Sequence, residues 1–530
     1  MHQNYIPFRD TGYFSSLICD YLEEKPELKP FYNRFPNLNS FKNQIEEKQH
    51  AFSAQSRTVL VESLNKQYQD IDASKSTLQN IELLKSDSTF TITTGHQLNL
   101  FTGPLYFLYK IISAINLSKQ LKETYKKYNF VPVYWMATED HDFEEINFFN
   151  FKGKKIQWNK KVSGAVGELS TDGLDGVFAL FSKELGNTIN ASYLKQLFDD
   201  AYIKHNNLAD ATRFLANALF KEYGLVIIDA NDAKLKKQLA PYIADELVNN
   251  TSFKEVLKTN EKLSKDYGIQ VNPREINLFY LKENLRERII CEDEVYRVLN
   301  TDISWSLSEI QKVLLEHPER FSPNVIMRPL YQEVILPNLC YIGGGGELAY
   351  WFQLKPFFNK VKIPFPVLLL RNSVLIQTKN QQKKLDKLNI SKTDVFLKRD
   401  AFINKKVRQI SNIEIDFSPQ KAQLKKQFEE LYQLAEQTDK SFLGAVKAQE
   451  QKQLKGIDAL EKRLLKAQKK ALSDHVARMI ELQNKLFPNG SLQERHSNLS
   501  EFYLGYGEQL IPSLIESLKP LKSEFLVLTI

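Results

Sequence analysis

An α/β architecture is what this sequence predicts: a parallel sheet wrapped by helices, with an antiparallel helical hairpin near the C-terminal end. Three observations predict it. Apolar, β-rich runs at Thr89–Thr94, Phe130–Met136, Leu225–Asp229 and Pro366–Leu370 are separated by helical patterns, with few hairpin turns, which favours parallel strands joined by right-handed crossovers. Polar residues cluster just after those runs, at the carboxyl ends where open α/β sheets hold ligands. From Pro419 to Leu486 the pattern changes to spaced apolar residues among abundant Lys, Glu and Gln.

Taken in order, residues 13–86 read as mostly helical, with Phe52, Val59, Leu60 and Leu64 at helical spacing. The run Thr89–Thr94 breaks at Gly95, and Gly103 and Pro104 lead into Leu105, Leu108, Ile111, Ile112 and Ile115. Proline suits the first helical position, and such a helix directs free N–H groups and its positive dipole end at the loop before it. Gly95, His96, Gln97, Thr102, Gly103 and Tyr106 are therefore candidate binding residues for an anion or nucleotide, against the alternative of a turn shaped for geometry alone. Behind the second strand come Ala137 to Glu145. There Asp140 and Asp142 flank His141, an arrangement suited to raising its pKa, to binding a metal or to holding an amine. A solvated acidic loop is the alternative, but two such clusters after consecutive strands favour a site.

Residues 151–222 read as an insertion, with strand-like pieces over Lys155–Val166 followed by helices. The third strand precedes a helix from Ala233 to Asn249. Residues 251–330 begin helical and then alternate through Ile276–Tyr280 and Glu294–Val298, the pattern of a half-exposed sheet. Between 328 and 373 lie Arg328, Tyr331, Gln332 and Glu333, then the tetraglycine Gly343–Gly346 ahead of Glu347 and a helix over Leu348–Phe358. Four glycines permit close ligand approach and positive φ angles, so Gly343, Gly344 and Glu347 join the candidates as a possible nest for an anion. The last strand ends in Arg371 and Asn372. Arginine offers a planar fork to phosphate or carboxylate, although Arg328 and Arg371 could each form a structural ion pair instead.

The segment 419–487 reads as two antiparallel helices turning near Thr438–Gly444, with the Leu424/Phe428/Leu431 face and part of the Ile457/Leu460/Leu464 face buried. An arm with two apolar faces favours a homodimer as the cover for what one chain leaves exposed. Its lysines are interleaved with acids and glutamines and lack an aromatic platform, which argues against nucleic acid. The organisation is thus 1–86 as a helical part of the core, 87–418 as the core with insertions at about 151–222 and 251–330, the arm, and 488–530 returning to the core. Arg495 falls at that return and is a candidate for a second anionic site or for a hinge-locking ion pair.

A net charge of +7 over 530 residues is a mild excess that suits anionic small molecules and is too diffuse for nucleic acid. The three cysteines are widely spaced and form no zinc or disulfide pattern, which points to a reducing, cytoplasmic setting. The N-terminus carries no apolar signal core, and no apolar run approaches the roughly 18 residues of a membrane span.

Four blocks carry a resemblance: TGHQLNLFTGPLYFLYKIISAI, VPVYWMATEDHDFEEI, RPLYQEVILPNLCYIGGGGELAYWFQLK and FPNGSLQER. In this order the chain resembles the bacillithiol synthase family, the cysteine-adding ligases of bacillithiol biosynthesis, from about Tyr13 to Tyr506. It departs at His96, where the family commonly has glutamine, at Gly345, where proline or alanine is common, and at Glu333, where aspartate is frequent. The resemblance implies a Rossmann-like core, similar to class I aminoacyl-tRNA synthetases and nucleotidylyltransferases, with connecting insertions and a dimerising coiled coil. It also implies the reaction, cysteine joined to the amine of glucosaminyl-malate. Amide formation in water needs an activated carboxyl group, so ATP is the expected driver, by adenylate or acyl phosphate; no metal is assigned. The Gly95–Pro104 loop is then expected to hold phosphates or the malyl carboxylates, Asp140 and Asp142 the cysteine ammonium or a metal, and His141 to move a proton, with Arg328 the fourth catalytic candidate. Two other classes stay open: an amino-acid-activating or nucleotidylyl-transferring enzyme with another acceptor, and a non-catalytic coiled-coil scaffold.

Overall fold

The computed structural model describes residues 2–530, and the chain divides into two units. Among the described residues, unit 1 comprises 2–9, 13–375 and 493–528; unit 2 comprises 10–12, 376–492 and 529–530. The centre of unit 1 is a five-stranded sheet in the order Val367–Leu370, Asn338–Gly343, Thr89–His96, Asn129–Met136, Val226–Asp229. Every neighbouring pair is parallel, as the four apolar runs predict. Asn338–Gly343 adds a fifth strand, leading into the tetraglycine. The strand Thr89–His96 is buried along its whole length because helices cover both faces. On one face Phe90, Ile92, Leu339 of its neighbour, and Val367 pack with Phe41 and Ile45 of helix Leu38–Ala51 and Ala114, Leu117 and Leu121 of helix Tyr106–Thr124.

Several boundaries differ from the sequence reading, each for a physical reason. The first strand does not break at Gly95: its ladder continues through Gly95↔Trp135 and His96↔Met136. Pro104 is not the first helical residue, because helix Tyr106–Thr124 starts two positions later and Pro104 bridges to Asn498 instead. The turn ahead of it is made by Phe101, Thr102 and Gly103, all at positive φ. Asn498 clamps it by donating to the Phe101 and Gly103 carbonyls at 2.7 and 2.6 Å. The tetraglycine adopts no positive φ. Its glycines are needed for space: a Cβ on Gly343 would sit 2.9 Å from Leu348 and Tyr341 side-chain atoms. The helix expected over 348–358 is two, Gly345–Trp351 and Lys355–Val361.

The insertions are more β-rich than the sequence indicates. Phe148–Phe151 pairs with Lys154–Gln157, so the strand-like segment ends well short of Val166. Residues 278–323 hold an antiparallel sheet in which Leu278–Lys282, Leu285–Glu292 and Val295–Val298 are joined by two tight hairpins. Asn284, Asp293 and Glu294 take the positive φ these turns need, with no glycine to announce them.

Unit 2 contains the helical hairpin, Ser418–Ala435 against Lys440–Ala471, with Ser473–Leu486 following after an interruption at Leu472. The turn is tighter than expected, since Asp439 already caps the second helix through the Ser441 N–H at 2.9 Å. Phe428, Ala435 and Val446 form its small core with Leu424 and Tyr432. Leu431, expected to be buried, is 39% exposed; of the second face Ile457 and Leu464 are half-buried and Leu460 is 56% exposed, in keeping with partial burial, and Leu434, Phe442 and Leu443 are exposed as well.

Candidate active site

In the core sheet the strands at 89–96 and 338–343 lie side by side where the strand order reverses. That switch point, at the carboxyl ends, is where open α/β sheets take ligands. Gly95 stands there, and a Cβ on it would lie 3.5 Å from Tyr341 Oη and 3.8 Å from Arg328 Nη1. Lys110, buried in the apolar first part of helix Tyr106–Thr124, donates to the Gly95 carbonyl and contacts Glu347 Oε1, both at 2.7 Å. Glu347 also accepts from Tyr341 Oη at 2.6 Å and from the Gly344 N–H at 2.9 Å, which caps helix Gly345–Trp351. Burial would raise the Glu347 carboxyl, but Lys110, Tyr341 and Gly344 outweigh it and hold it below the usual range.

Arg328 opens helix Arg328–Ile335, with its guanidinium 5.7 Å from the Trp135 ring and 5.5 Å from that of Tyr341. Its Nη1 donates to Gln332 at 3.2 Å, and its buried Nη2 has no hydrogen-bond partner. Arg371 gives its fork to Glu494 at 2.9 Å, the Asn372 carbonyl and Ser373, so most of it is structural. Its Nε alone is unpartnered, 3.7 Å from where a Gly344 Cβ would stand. Tyr106 lies beneath Arg371, with the guanidinium 5.0 Å from its ring. His96 packs against Tyr106 and Phe107, and burial, then Lys110 and Arg371, push its pKa far down, so it is a neutral imidazole with Nε2 free. Thr102 is buried with an unpartnered hydroxyl.

Tyr106 also borders a cleft of about 470 Å³ with Gln97, Gly103, Glu144, Glu145 and His496. Gln97 Nε2 donates to Asp140 Oδ2 and Glu145 Oε2, both at 2.9 Å. Burial, which would raise Asp140, is outweighed by His141, Gln97 and Arg286, and the carboxyl is held far below the usual range. The sign follows: the depressed folded pKa contributes stability that is present above the ordinary value near pH 4 and is lost as pH falls toward the folded one. Melting temperature is therefore expected to fall more steeply below pH 4 in the wild type than in Asp140→Asn, read by a pH series of thermal melts. His141 and Asp142 are exposed.

The structure thus brings Gly95, Arg328, Gln332, Gly344, Glu347 and the Arg371 Nε into one group and Gln97, Asp140 and His141 into a second, with Tyr106 adjoining both. Of the N–H groups expected to be free around the Gly95–Pro104 loop, three are engaged within the protein. Phe101 N–H donates to Tyr202, Gly103 N–H to Leu100 O and Leu105 N–H to Ser497 O. Asn372 is structural, its side chain engaged by Ser113 and the Lys519 carbonyl. Arg495 is exposed and forms no ion pair among the described residues, so the hinge-locking pair is absent, and its charge is felt at the Tyr106 hydroxyl. The sequence reading missed Lys110, Tyr341, Glu145 and Arg286; only Lys110, a lone charge inside an apolar helical run, left a visible signal. Unit 2 has a groove of about 570 Å³ lined by Lys384, Lys387, His475, Arg478 and Lys485, with Glu481 its single carboxylate, a setting for a polyanion. Among the described residues no group of three His, Cys, Asp or Glu side chains is placed to hold a metal, and no helix is long and apolar enough to cross a membrane.

Residues 1–372 match the N-terminal Rossmann-like domain of bacillithiol biosynthesis BshC, and residues 374–530 match the C-terminal coiled-coil domain of the same family. A Flavobacterium johnsoniae protein named "Putative cysteine ligase BshC" is 62% identical over 525 residues, covering 99% of both chains. A protein of the same name from Christiangramia forsetii is 58% identical over 100% of this chain and 99% of its own. One from Bacillus cereus is 27% identical over 94% and 95%. The chain therefore belongs to the BshC family of bacillithiol biosynthesis and is an enzyme of the carbon–nitrogen bond-forming class.

Proposed function

We propose that the enzyme joins the carboxyl group of cysteine to the amine of glucosaminyl-malate, giving bacillithiol, with ATP activating the carboxyl. The observation that carries this reading is the pair of buried, unpartnered guanidinium N–H groups, Arg328 Nη2 and Arg371 Nε, at the switch point of the sheet. Aimed donors with no partner in the free protein are suited to a carboxylate or phosphate oxygen. The acidic side of the site, Asp140, Asp142 and Glu145, suits the opposite charge, an ammonium. A substrate carrying both signs, such as an amino acid beside a malyl sugar, matches the two halves. The Lys110–Glu347–Tyr341 group ties the strand end to the glycine helix beside these donors. The unpaired cysteines, all three reduced, agree with work in the cytoplasm.

The test is direct: purified protein with cysteine, glucosaminyl-malate and ATP should give bacillithiol by mass spectrometry, with phosphate or pyrophosphate release reporting which activated intermediate forms. No product, with cysteine-dependent ATP turnover toward another amine, would favour a different acceptor.

The exposed Leu431, Leu434, Phe442, Leu443 and Leu460 favour a homodimer through the helical hairpin. Light scattering on the intact chain at micromolar concentration should give twice the chain mass. Leu431→Glu with Leu434→Glu should shift it toward one; a monomeric wild type would remove the dimer.

A further inference from the structure

The inserted antiparallel sheet delivers a side chain to the site that no motif marks. Leu281 pairs with Arg286 and Phe279 with Arg288, so these four residues share one face of the hairpin. Tyr280, on the other face, is buried against Trp305 and Phe321 and fixes which way the hairpin turns. On the first face the Arg286 guanidinium lies 3.9 Å from the centroid of the Phe279 ring. The His141 ring lies 5.5 Å from the same centroid, and Arg286 Nη1 stands 2.6 Å from His141 Nδ1.

A guanidinium carries only donors, so Nδ1 must present its lone pair. A neutral imidazole then carries its proton on Nε2. Asp140 is the competing influence, since its carboxylate, itself lowered by the His141 ring, would favour a proton on Nδ1, but its Oδ1 is 3.7 Å away, beyond hydrogen-bond length, against 2.6 Å for Arg286. It is also engaged elsewhere, accepting from Gln97 and from the His141 backbone N–H at 2.8 Å. The two loops are held together by the segment 164–167. Val166 N–H donates to the Asp140 carbonyl at 2.7 Å and Gly167 N–H to Thr138 O at 2.8 Å. Gly164, at φ +81°, packs so tightly on the hairpin turn that a Cβ would meet the Asn284 backbone at 3.0 Å. Arg286 therefore reaches His141 through a built contact and not through a mobile surface arm.

We infer that Arg286 is a positioning residue that fixes His141 as the Nε2–H tautomer, so that His141 serves the ligation as a hydrogen-bond donor and not as the base that deprotonates the amine. This rests on the reading that the group around Asp140 belongs to the reaction centre. A donor at Nε2 suits an oxygen on which negative charge develops as the amide forms, where such a donor contributes about 100-fold in rate. It replaces the proton-transfer role expected from sequence.

The experiment uses the full chain labelled with nitrogen-15 histidine. Long-range proton–nitrogen correlation spectra are taken at a pH where the ring is neutral, with the His141 signals assigned by their loss in His141→Asn. The wild type should show an unprotonated Nδ1 and a protonated Nε2. Arg286→Leu should lose that fixed pattern and lower kcat about 100-fold, with KM for the substrates changed far less. Arg286→Lys, which keeps a donor, should recover much of both. A protonated Nδ1 in the wild type overturns the inference, as does an unchanged His141 pattern in Arg286→Leu. If Arg286→Leu does not fold, the wild-type spectrum and Arg286→Lys decide alone. The spectrum needs no turnover, so a chain that shows the Nε2–H pattern but makes no bacillithiol supports the tautomer and counts against the ligase reading only.

Discussion

Arg328→Ala is expected to reduce bacillithiol formation by about 100- to 1,000-fold, the loss typical when a preorganised donor to a developing charge is removed, while the melting temperature stays close to that of the wild type. The two halves of this expectation have separate causes. Arg328 forms no ion pair with a carboxylate: it donates to Gln332, lies beside the Tyr350 hydroxyl, and its buried Nη2 has no hydrogen-bond partner. Truncation thus leaves no uncompensated charge behind, only two aromatic faces and space at the first turn of a helix. What is lost is a planar fork at the switch point. Arg328→Lys should recover little, because a point charge on a flexible stem does not reproduce the fork. Product formation under saturating substrates, read beside a thermal melt, checks both halves. A large fall in melting temperature with modest loss of rate would make Arg328 structural.

The largest stability effect is expected at Lys48→Met. Lys48 Nζ lies 2.8 Å from Glu333 Oε2, and the two side chains are 1% and 0% exposed. Glu333 in turn accepts from Gln332 at 3.0 Å and Asn338 at 2.6 Å, and Asn338 accepts from Thr93 at 2.8 Å. This chain ties helix Leu38–Ala51 to helix Arg328–Ile335 and to two central strands. Removing one partner of such a pair leaves a buried charge unmatched and costs about 3–5 kcal/mol. For a unit of this size that corresponds to a fall of roughly 3–6 °C in melting temperature. Lys48→Met combined with Glu333→Gln should recover most of the loss, because the double replacement removes the charge as well as the bond. Since Gln332 is shared between Glu333 and Arg328, the single variant should also lower activity more than its stability loss explains.

The buried strands and their parallel order were legible in the sequence because runs such as Phe130–Met136 are apolar throughout, which only a strand covered on both faces requires. The site was legible as a region and not as a mechanism. Asp140, Gln97 and Arg328 stand at strand ends and helix starts, where the pattern placed them. What the pattern could not show is whether a group is already engaged. The fork of Arg371 is taken by Glu494, more than a hundred positions away, and no local spacing reveals that. The same applies to Arg286, which reaches His141 across 145 positions from a hairpin whose turns lack glycine. The tetraglycine misled for a different reason. Its composition suggests unusual φ angles, whereas packing of Leu348, Tyr341 and Ile18 against it accounts for the absence of side chains. In the helical hairpin, apolar spacing identified the helices but not the exposure of Leu431, because a two-helix contact covers only a narrow seam.

On this reading the two substrates meet at the carboxyl ends of the strands Thr89–His96 and Asn338–Gly343, where the strand order reverses. The measurement that tests it most directly is a crystal structure of the enzyme with glucosaminyl-malate bound. The account predicts a malyl carboxylate within hydrogen-bond distance of Arg328 Nη2 and Arg371 Nε, beside Gly344, with the sugar amine toward Asp140 and Asp142. Glucosaminyl-malate bound elsewhere, with both guanidinium nitrogens still unpartnered, would contradict it.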